Sequence, residues 1–94
     1  MNIRQLMLDV DKALDRPSVL EIAEAIEAQN GVEGVCVVVT EVDMETVGME
    51  ITIEGQAMNY ENIVTAIEKT GAVVHSLDQV LTGERKITPI RRIR

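Results

Sequence analysis

One short string of residues occurs twice in this chain and divides it into two similar halves. The pattern I-x-x-A-I-E followed by a glycine occupies residues 22–27 with Gly31, and residues 63–68 with Gly71. In each copy the apolar residues recur with the spacing of an amphipathic helix. A run with the alternation or the β-branched content of a strand lies on either side of each copy. The sequence therefore predicts two successive strand–helix–strand halves.

Capping residues place the predicted elements along the chain. Ser18, with Glu21 three residues later, predicts a capping box at the start of the first helix, and Asn59 predicts the cap of the second. The predicted buried stripe of the first helix consists of Leu20, Ile22, Ala23 and Ile26, with Val19 as a further candidate. The predicted strands span residues 2–10, 35–42, 49–54 and 72–77, with a polar loop at 11–17 and a turn at 43–48.

The predicted order of elements, β-α-β-β-α-β with short connections, is typical of an α+β, ferredoxin-like sandwich. We expect an antiparallel sheet of order 4-1-3-2 with both helices on one face. Met7 and either Val37 or Val38 would then lie on the other, bare apolar face in a single chain. Because exposed apolar sheet surface on a small domain usually binds a partner, the sequence predicts a homo-oligomer. Residues 35–42 are apolar at most positions, a pattern typical of a strand covered on both sides.

Composition predicts a single domain, residues 1–83, followed by a basic C-terminal tail, residues 84–94. Tyr60 is the only aromatic residue and the net charge is −7, two features that disfavour nucleic acid and anionic membrane surfaces as partners. Cys36 is the only cysteine, which excludes an intrachain disulfide. We expect a cytoplasmic protein without a membrane span, because no apolar run of about 18 residues is present.

Charge is divided unevenly along the chain. Residues 1–84 carry all 16 acidic residues and only four of the nine basic ones, a net charge of −12, whereas residues 85–94 carry +5. In this last segment Ile87, Ile90 and Ile93 recur every third residue. We favour a tail that clasps the acidic surface of a neighbouring subunit. A flexible solubilising tail and an arm that binds RNA or phosphate are the alternatives.

Two acidic loops are predicted to lie at the same end of the sheet. One follows the first strand and the other joins the second and third strands; together they hold Asp9, Asp11, Asp15, Glu41, Asp43 and Glu45. Converging carboxylates suit hard cations such as calcium or magnesium. The candidate ligands are Asp9, Asp11, Asp43 and Glu45. The alternative is a set of ordinary solvated loop residues, since the sequence has no calcium-loop motif.

His75 and Cys36 are the remaining residues of types that often carry chemistry. His75 is predicted to be a structural residue within the fourth strand. Cys36, inside a run of valines, is predicted to be a small buried hydrophobe. A single histidine and a buried cysteine do not make a nucleophile–base pair, so the sequence predicts no enzyme.

Two longer segments resemble a known family. Residues 31–55, "GVEGVCVVVTEVDMETVGMEITIEG", and residues 73–83, "VVHSLDQVLTG", are similar to a small archaeal family known as domain of unknown function two hundred eleven. The most specific motif is V-x-E-x-D-x-x-T, which spans residues 39–46. The resemblance implies a ferredoxin-like fold and a ring-shaped homo-oligomer, and it implies no established activity. The polar positions that match the family's motifs are Asp9, Glu41, Asp43, Thr46, Glu54, Ser76 and Asp78.

These observations together predict a non-catalytic regulatory or scaffolding module that binds a divalent cation or a small ligand at its acidic loops. Two alternatives belong to other functional classes. One is a metal-dependent enzyme whose site is shared between subunits, and the other is a protein that binds RNA through its basic tail.

Overall fold

The computed structural model describes residues 1–89 of the chain. The elements follow the predicted order of strand, helix, strand, strand, helix and strand. Their bounds are β1 (Ile3–Ala13), α1 (Val19–Glu27), β2 (Val32–Val42), β3 (Thr46–Met58), α2 (Tyr60–Lys69) and β4 (Val73–Thr82). Neither helix in this part of the chain has the length and apolar character that crossing a membrane requires.

The four strands form one antiparallel sheet in the order β2-β3-β1-β4, which is the predicted order read from the other edge. β1 and β3 are therefore the central strands, and β2 and β4 are the edges. β1 pairs with β3 over its whole length, from Ile3 opposite Met58 to Ala13 opposite Thr46. The α+β class and the sheet order predicted from the sequence are confirmed.

A single hydrophobic core lies between one side of the sheet and the two helices. Buried and partly exposed residues alternate along β1, and the buried Leu8 lies opposite the buried Ile51 of β3. The fully buried helix residues are Ile22, Ile26, Ile63 and Ile67. Because both helices share one core cluster with the same side of the sheet, they cover that side together. The opposite side of the sheet is called the open side below.

Both helices begin with the caps that the sequence predicts. Ser18 Oγ accepts a hydrogen bond from the Glu21 N–H at 3.1 Å, and Glu21 Oε1 accepts one from the Ser18 N–H at 3.0 Å. Asn59 Oδ1 accepts from the Asn62 N–H at 2.9 Å. These bonds satisfy amide groups that have no partner within their own helix. After α2, Gly71 has a φ of +106°, a left-handed value that glycine adopts without strain.

The predicted buried stripe of α1 is wrong at Leu20, which is 81% exposed. At about 3.6 residues per turn, Leu20 lies roughly 200° around the helix from Ile22, so the two cannot face the core together. Ile22 and Ile26 are fully buried, and Ala23 is partly buried beside them. A helix that packs on one sheet buries one narrow stripe, and Leu20 lies outside it.

The strands are longer than the sequence predicts. β1 continues through Asp11 and Lys12, where the residue types predict a polar loop. Asp11 pairs with Gly48 on one side and Val73 on the other, so the sheet supplies partners for its backbone. Lys12 is only 8% exposed, and its Nζ donates to the carbonyl oxygens of the two residues that follow it. β2, β3 and β4 also extend beyond their predicted ranges.

β2 is not covered on both sides, although its apolar run predicts this. Val35 and Val37 pack against the core, whereas Val38, on the opposite side of the strand, is 50% exposed. β2 is an edge strand of a sheet that has helices on one side only. Half of its residues therefore face away from the core whatever their polarity.

The last described residues connect the domain to the tail. The Gly83 N–H donates to the carbonyl oxygen of Asn2 at 2.9 Å, and the Arg4 guanidinium donates to the carbonyl oxygen of Glu84. Lys86 Nζ lies 3.4 Å from a carboxylate oxygen of β3. Residues 90–94, and the part of the predicted clasp that they carry, lie outside the described residues.

Candidate functional site

The ends of two strands and the start of a third meet at one end of the sheet, as the sequence predicts. Ala13 of β1 lies opposite Thr46 of β3, directly after the β2–β3 turn. β4 begins at Val73, opposite Asp11. This end of the sheet, called the acidic end below, carries the candidate ligands Asp11, Asp43 and Glu45, whereas the fourth candidate, Asp9, lies further along β1, opposite Glu50 and Ser76.

At the acidic end the structure brings Asp11 next to His75. Asp11 Oδ2 and His75 Nδ1 are 4.0 Å apart across the pairing of β1 with β4. Both side chains are largely open to solvent. A protonated His75 would attract the carboxylate, but an exposed ion pair of this kind contributes little to stability. His75 lies within a strand, as predicted, with its side chain on the surface.

The other candidate ligands contact different groups. Asp43 Oδ1 accepts from the Met44 N–H at 2.7 Å, which engages that carboxylate in its own turn. Asp9 lies opposite Glu50, and Glu45 is exposed in the β2–β3 turn. Within residues 1–89 no group of three His, Cys, Asp or Glu side chains is arranged to hold a metal ion. The calcium or magnesium site stays a prediction, which calorimetric titration of chelator-treated protein with either ion tests.

The open side carries both polar and apolar side chains, where the sequence predicts bare apolar surface. Strand pairing sets these side chains in rows, one formed by Cys36, Thr52, Met7 and Gln79, and the next by Val38, Glu50, Asp9 and Ser76. Val38 is 50% exposed here, whereas Val37 lies opposite Ile51 on the core side. The apolar residues of the open side lie on β2, at Met7 of β1, and at Val73 and Leu81 of β4, which pair with Asp11 and Gln5.

The prediction that Cys36 is buried is wrong, because its side chain is exposed. Cys36 lies opposite Thr52 on the open side, while its neighbours Val35 and Val37 pack against the core. The surrounding valines suggest burial at every position of the run. Burial of the second face of a strand depends instead on whether another element covers it, and no local pattern reports that.

A series of hydrogen bonds crosses the open side at the end away from the acidic end. Gln79 Nε2 donates to Gln5 Oε1 at 2.7 Å, and Gln5 Nε2 donates to Glu54 Oε2 at 2.7 Å. Lys86 Nζ lies 3.4 Å from the other carboxylate oxygen, Glu54 Oε1. The hydrogen bond from Gln5, and then the charge of Lys86, lower the pKa of Glu54 below its ordinary value. This ladder connects β4, β1, β3 and the start of the tail.

Sequence reasoning missed this ladder. Gln5 and Glu54 both occupy polar positions in alternating strands, and that was the available signal. Only the pairing register places them directly opposite each other. Glu54 is also one of the polar positions noted in the family resemblance, where no partner for it could be assigned.

These features define the class of the protein: a small α+β domain whose antiparallel sheet has helices on one side and a polar–apolar open side on the other. The chain belongs to the family described as uncharacterized ArCR, DUF211, whose model matches residues 4–93. An uncharacterized protein of the archaeon Methanocaldococcus jannaschii is 33% identical to it over 89 residues, which make up 95% of this chain and 91% of the relative. The family resemblance of residues 31–55 and 73–83 is thereby confirmed.

Proposed function

We propose that the protein is a non-catalytic, ferredoxin-like module that forms a homo-oligomer and serves a regulatory or scaffolding role. The observation that carries the proposal is the exposure of apolar side chains on both edge strands. These residues, each 40–68% exposed, are Val38, Val39, Val42, Val73, Leu77 and Val80. Apolar residues gathered along two strands of a small domain support a surface that binds another chain.

The two edges of the sheet favour association through strand pairing. β2 has 11 residues and β4 has 10, and in the single chain each pairs with a neighbour on one side only. The outer backbone N–H and C=O groups of such edges pair readily with another strand, and lysine or proline often blocks them. β2 and β4 contain neither residue. When β2 of one copy pairs with β4 of the next, the same contact can repeat from chain to chain. Such a head-to-tail contact closes into a ring, the assembly implied by the family resemblance.

The two residues best suited to nucleophilic chemistry lie too far apart to act together within one chain. Cys36 lies on β2 and His75 on β4, at opposite edges of the sheet. Three interstrand spacings separate these edges, a distance of about 14 Å. A cysteine and its general base must be within hydrogen-bond reach of each other, so these two do not form a catalytic pair in one chain.

Light scattering coupled to size-exclusion chromatography tests the proposal. The wild-type protein is expected to have a mass several times that of one chain. Val38→Lys and Val80→Lys each place a lysine on one edge, and both variants should have a lower mass with an unchanged circular dichroism spectrum. Thr65→Lys, at an exposed position of α2, is the matched control and should keep the wild-type mass.

Two results would overturn the proposal. One is a wild-type protein with the mass of a single chain at every concentration measured. The other is a wild-type mass in both edge variants, which would show that neither edge takes part in assembly.

A further inference from the structure

Three rows of apolar side chains cross the side of the sheet that the helices cover, called the helix side below. Each row takes one residue from every strand, and residues directly opposite each other on paired strands point to the same side. From β2 to β4 the rows are Val35, Ile53, Leu6 and Val80; Val37, Ile51, Leu8 and Leu77; and Val39, Met49, Val10 and Val74. The members on the two central strands are fully buried. The rows therefore belong to the core and reach both edges of the sheet.

Two irregularities in β4 keep its apolar residues on the helix side. The pairing of β4 with β1 shifts register twice and skips Asp78 and His75, one residue at each shift. Helix-side residues of β4 therefore recur at every third position, Val74, Leu77 and Val80, instead of at every second. The two skipped residues are polar, so this edge of the sheet stays apolar on the helix side.

The rows are covered in the middle and uncovered at their ends. Leu77 and Val80 on β4 are 40% and 44% exposed, and Val39 on β2 is 45% exposed. Val35 lines a groove of about 390 Å³ between β2 and α1, which Ala23 of the helix also lines. The two edges of one chain thus expose opposite ends of the same rows.

We propose that each row continues from one copy of the chain into the next, so that the hydrophobic core is shared across the boundary. The three contacts join Val80 to Val35, Leu77 to Val37, and Val74 to Val39 of the neighbouring copy. Val80 then fills the groove between β2 and α1 of that copy. This inference rests on the proposed association of β2 with β4, and it adds the register of that association and its helix-side contacts.

Strand direction supports a second copy of this chain as the partner. β3 is antiparallel to β2 and to β1, and β1 is antiparallel to β4, so β2 and β4 of one chain run in opposite directions. A neighbour placed beside the sheet with its helices on the same side therefore offers an antiparallel edge, the pattern of every other pair in this sheet. In such a pair the register follows from the apolar residues, because they must stay on the buried side.

The lengths of the two edges favour the aligned register. β2 has 11 residues and β4 has 10, and the three rows connect them at matching levels. The aligned register pairs nearly the whole of both edges, whereas displacement by one row leaves two residues at each end without backbone partners. It also places Glu41 beside Val73 of the neighbour on the open side, so this carboxylate does not lie opposite another one.

Disulfide mapping between copies tests the register in the full chain. Every variant also carries Cys36→Ser, so the introduced cysteines are the only thiols. β2 and β4 of one chain are three interstrand spacings apart, about 14 Å, which is too far for a disulfide within the chain. Oxidation with diamide followed by non-reducing electrophoresis therefore reports contacts between copies as a ladder of covalent multimers.

Two aligned pairs are compared with two displaced ones. The aligned pairs are Val35→Cys with Val80→Cys and Val39→Cys with Val74→Cys. The displaced pairs combine Val37→Cys with Val80→Cys or with Val74→Cys, and each is one row, about 7 Å, out of register in one direction or the other. We expect both aligned pairs to form multimers with a yield several-fold above that of both displaced pairs, because a disulfide needs Cα atoms within about 7 Å of each other. The single-cysteine variants are the controls and should form no multimers.

Light scattering on the unoxidised samples separates this inference from the proposed function. If the wild type has the mass of several chains, equal or higher crosslinking of a displaced pair overturns the aligned register and leaves the proposed assembly intact. With the same wild-type mass, absence of crosslinking in the aligned pairs, or dimers from a single-cysteine variant, overturns the shared core between β4 and β2. A wild type with the mass of a single chain overturns both the inference and the proposed function.

Discussion

The carbonyl oxygen of Gly31 occupies the space that a side chain at Gly55 would need. A Cβ atom built on Gly55 would lie 1.9 Å from that oxygen, far inside van der Waals contact. The same oxygen accepts a hydrogen bond from the Gln56 N–H at 2.9 Å, so the close approach is part of the link between β2 and β3. Gly31 itself has a φ of +87°, in the left-handed region that favours glycine.

Gly55→Ala is therefore expected to destabilise the protein by about 2–4 kcal/mol, since a methyl group at this position forces two backbone segments apart. Gly34→Ala is the matched control. It lies on the same pair of strands, and its added Cβ meets open space. The control should change stability by less than about 0.5 kcal/mol. Urea unfolding followed by circular dichroism at fixed protein concentration measures both, and equal losses would contradict the close contact at Gly55.

The opposite orientations of Leu20 and Ile22 give a second prediction. Ile22 is fully buried, so Ile22→Ala should cost about 2–5 kcal/mol. Leu20 is 81% exposed, so Leu20→Ala should alter the free energy of unfolding by less than about 0.5 kcal/mol. Urea midpoints of the two variants check this difference. A large loss at Leu20 would place it in a buried contact and restore the stripe expected from the sequence.

The capping box at the start of α1 gives a third prediction. Ser18→Ala removes the acceptor for the Glu21 N–H and should lower the free energy of unfolding by about 1 kcal/mol. Ser18→Asp keeps an acceptor oxygen at the same position and should retain most of the stability. Thermal or urea unfolding of the two variants measures the difference. Equal losses would mean that the hydroxyl contributes nothing through this hydrogen bond.

The pH dependence of stability gives a fourth prediction. Hydrogen bonds from the backbone and then the hydroxyl of Ser18, followed by the charge of Arg16, lower the pKa of Glu21 below its ordinary value. A carboxyl whose pKa is lower in the folded state stabilises the fold above its unfolded pKa, and this stabilisation is lost as the pH falls through the folded pKa. The urea midpoint of the wild type should therefore fall more than that of Glu21→Gln on acidification from about pH 6 to about pH 3.

Glutamine at position 21 can still accept the hydrogen bond from the Ser18 N–H, so this variant removes the charge and keeps the shape. Glu24→Gln, an exposed carboxyl on the same helix, is the matched control. If Glu24→Gln reduces the acid-induced fall of the urea midpoint as much as Glu21→Gln does, the capping box is not the source of that fall.

The parts of the fold that depend on near neighbours could be predicted well. The capping box of Ser18 and Glu21, the cap at Asn59 and the glycine after α2 all form as expected, because each involves residues within a few positions of one another. The alternation of β3 places Met49, Ile51 and Ile53 in the core for the same reason. Element order then limited the sheet to few topologies, and the predicted order is the one observed.

The candidate site was less accessible to sequence reasoning. Element order was enough to place Asp11 and the β2–β3 turn at one end of the sheet. It could not say that Asp43 would bond to its own turn, or that Asp11 would lie beside His75. Side-chain contacts of this kind depend on register shifts, and β4 has such shifts along its pairing with β1.

The chain alone was sufficient for the order of its elements, the helix caps and its family, since these follow from residue types at short range and from motif spacing. The folded arrangement was needed to learn that Leu20 and Cys36 are exposed, that Asp11 lies within a strand, and that the Gln5–Glu54 bond leads to Lys86. The physical reason is that solvent exposure and cross-strand contact depend on which distant segment lies alongside a residue. A single layer of helices covers one side of this sheet, and that arrangement leaves half of every strand facing away from the core.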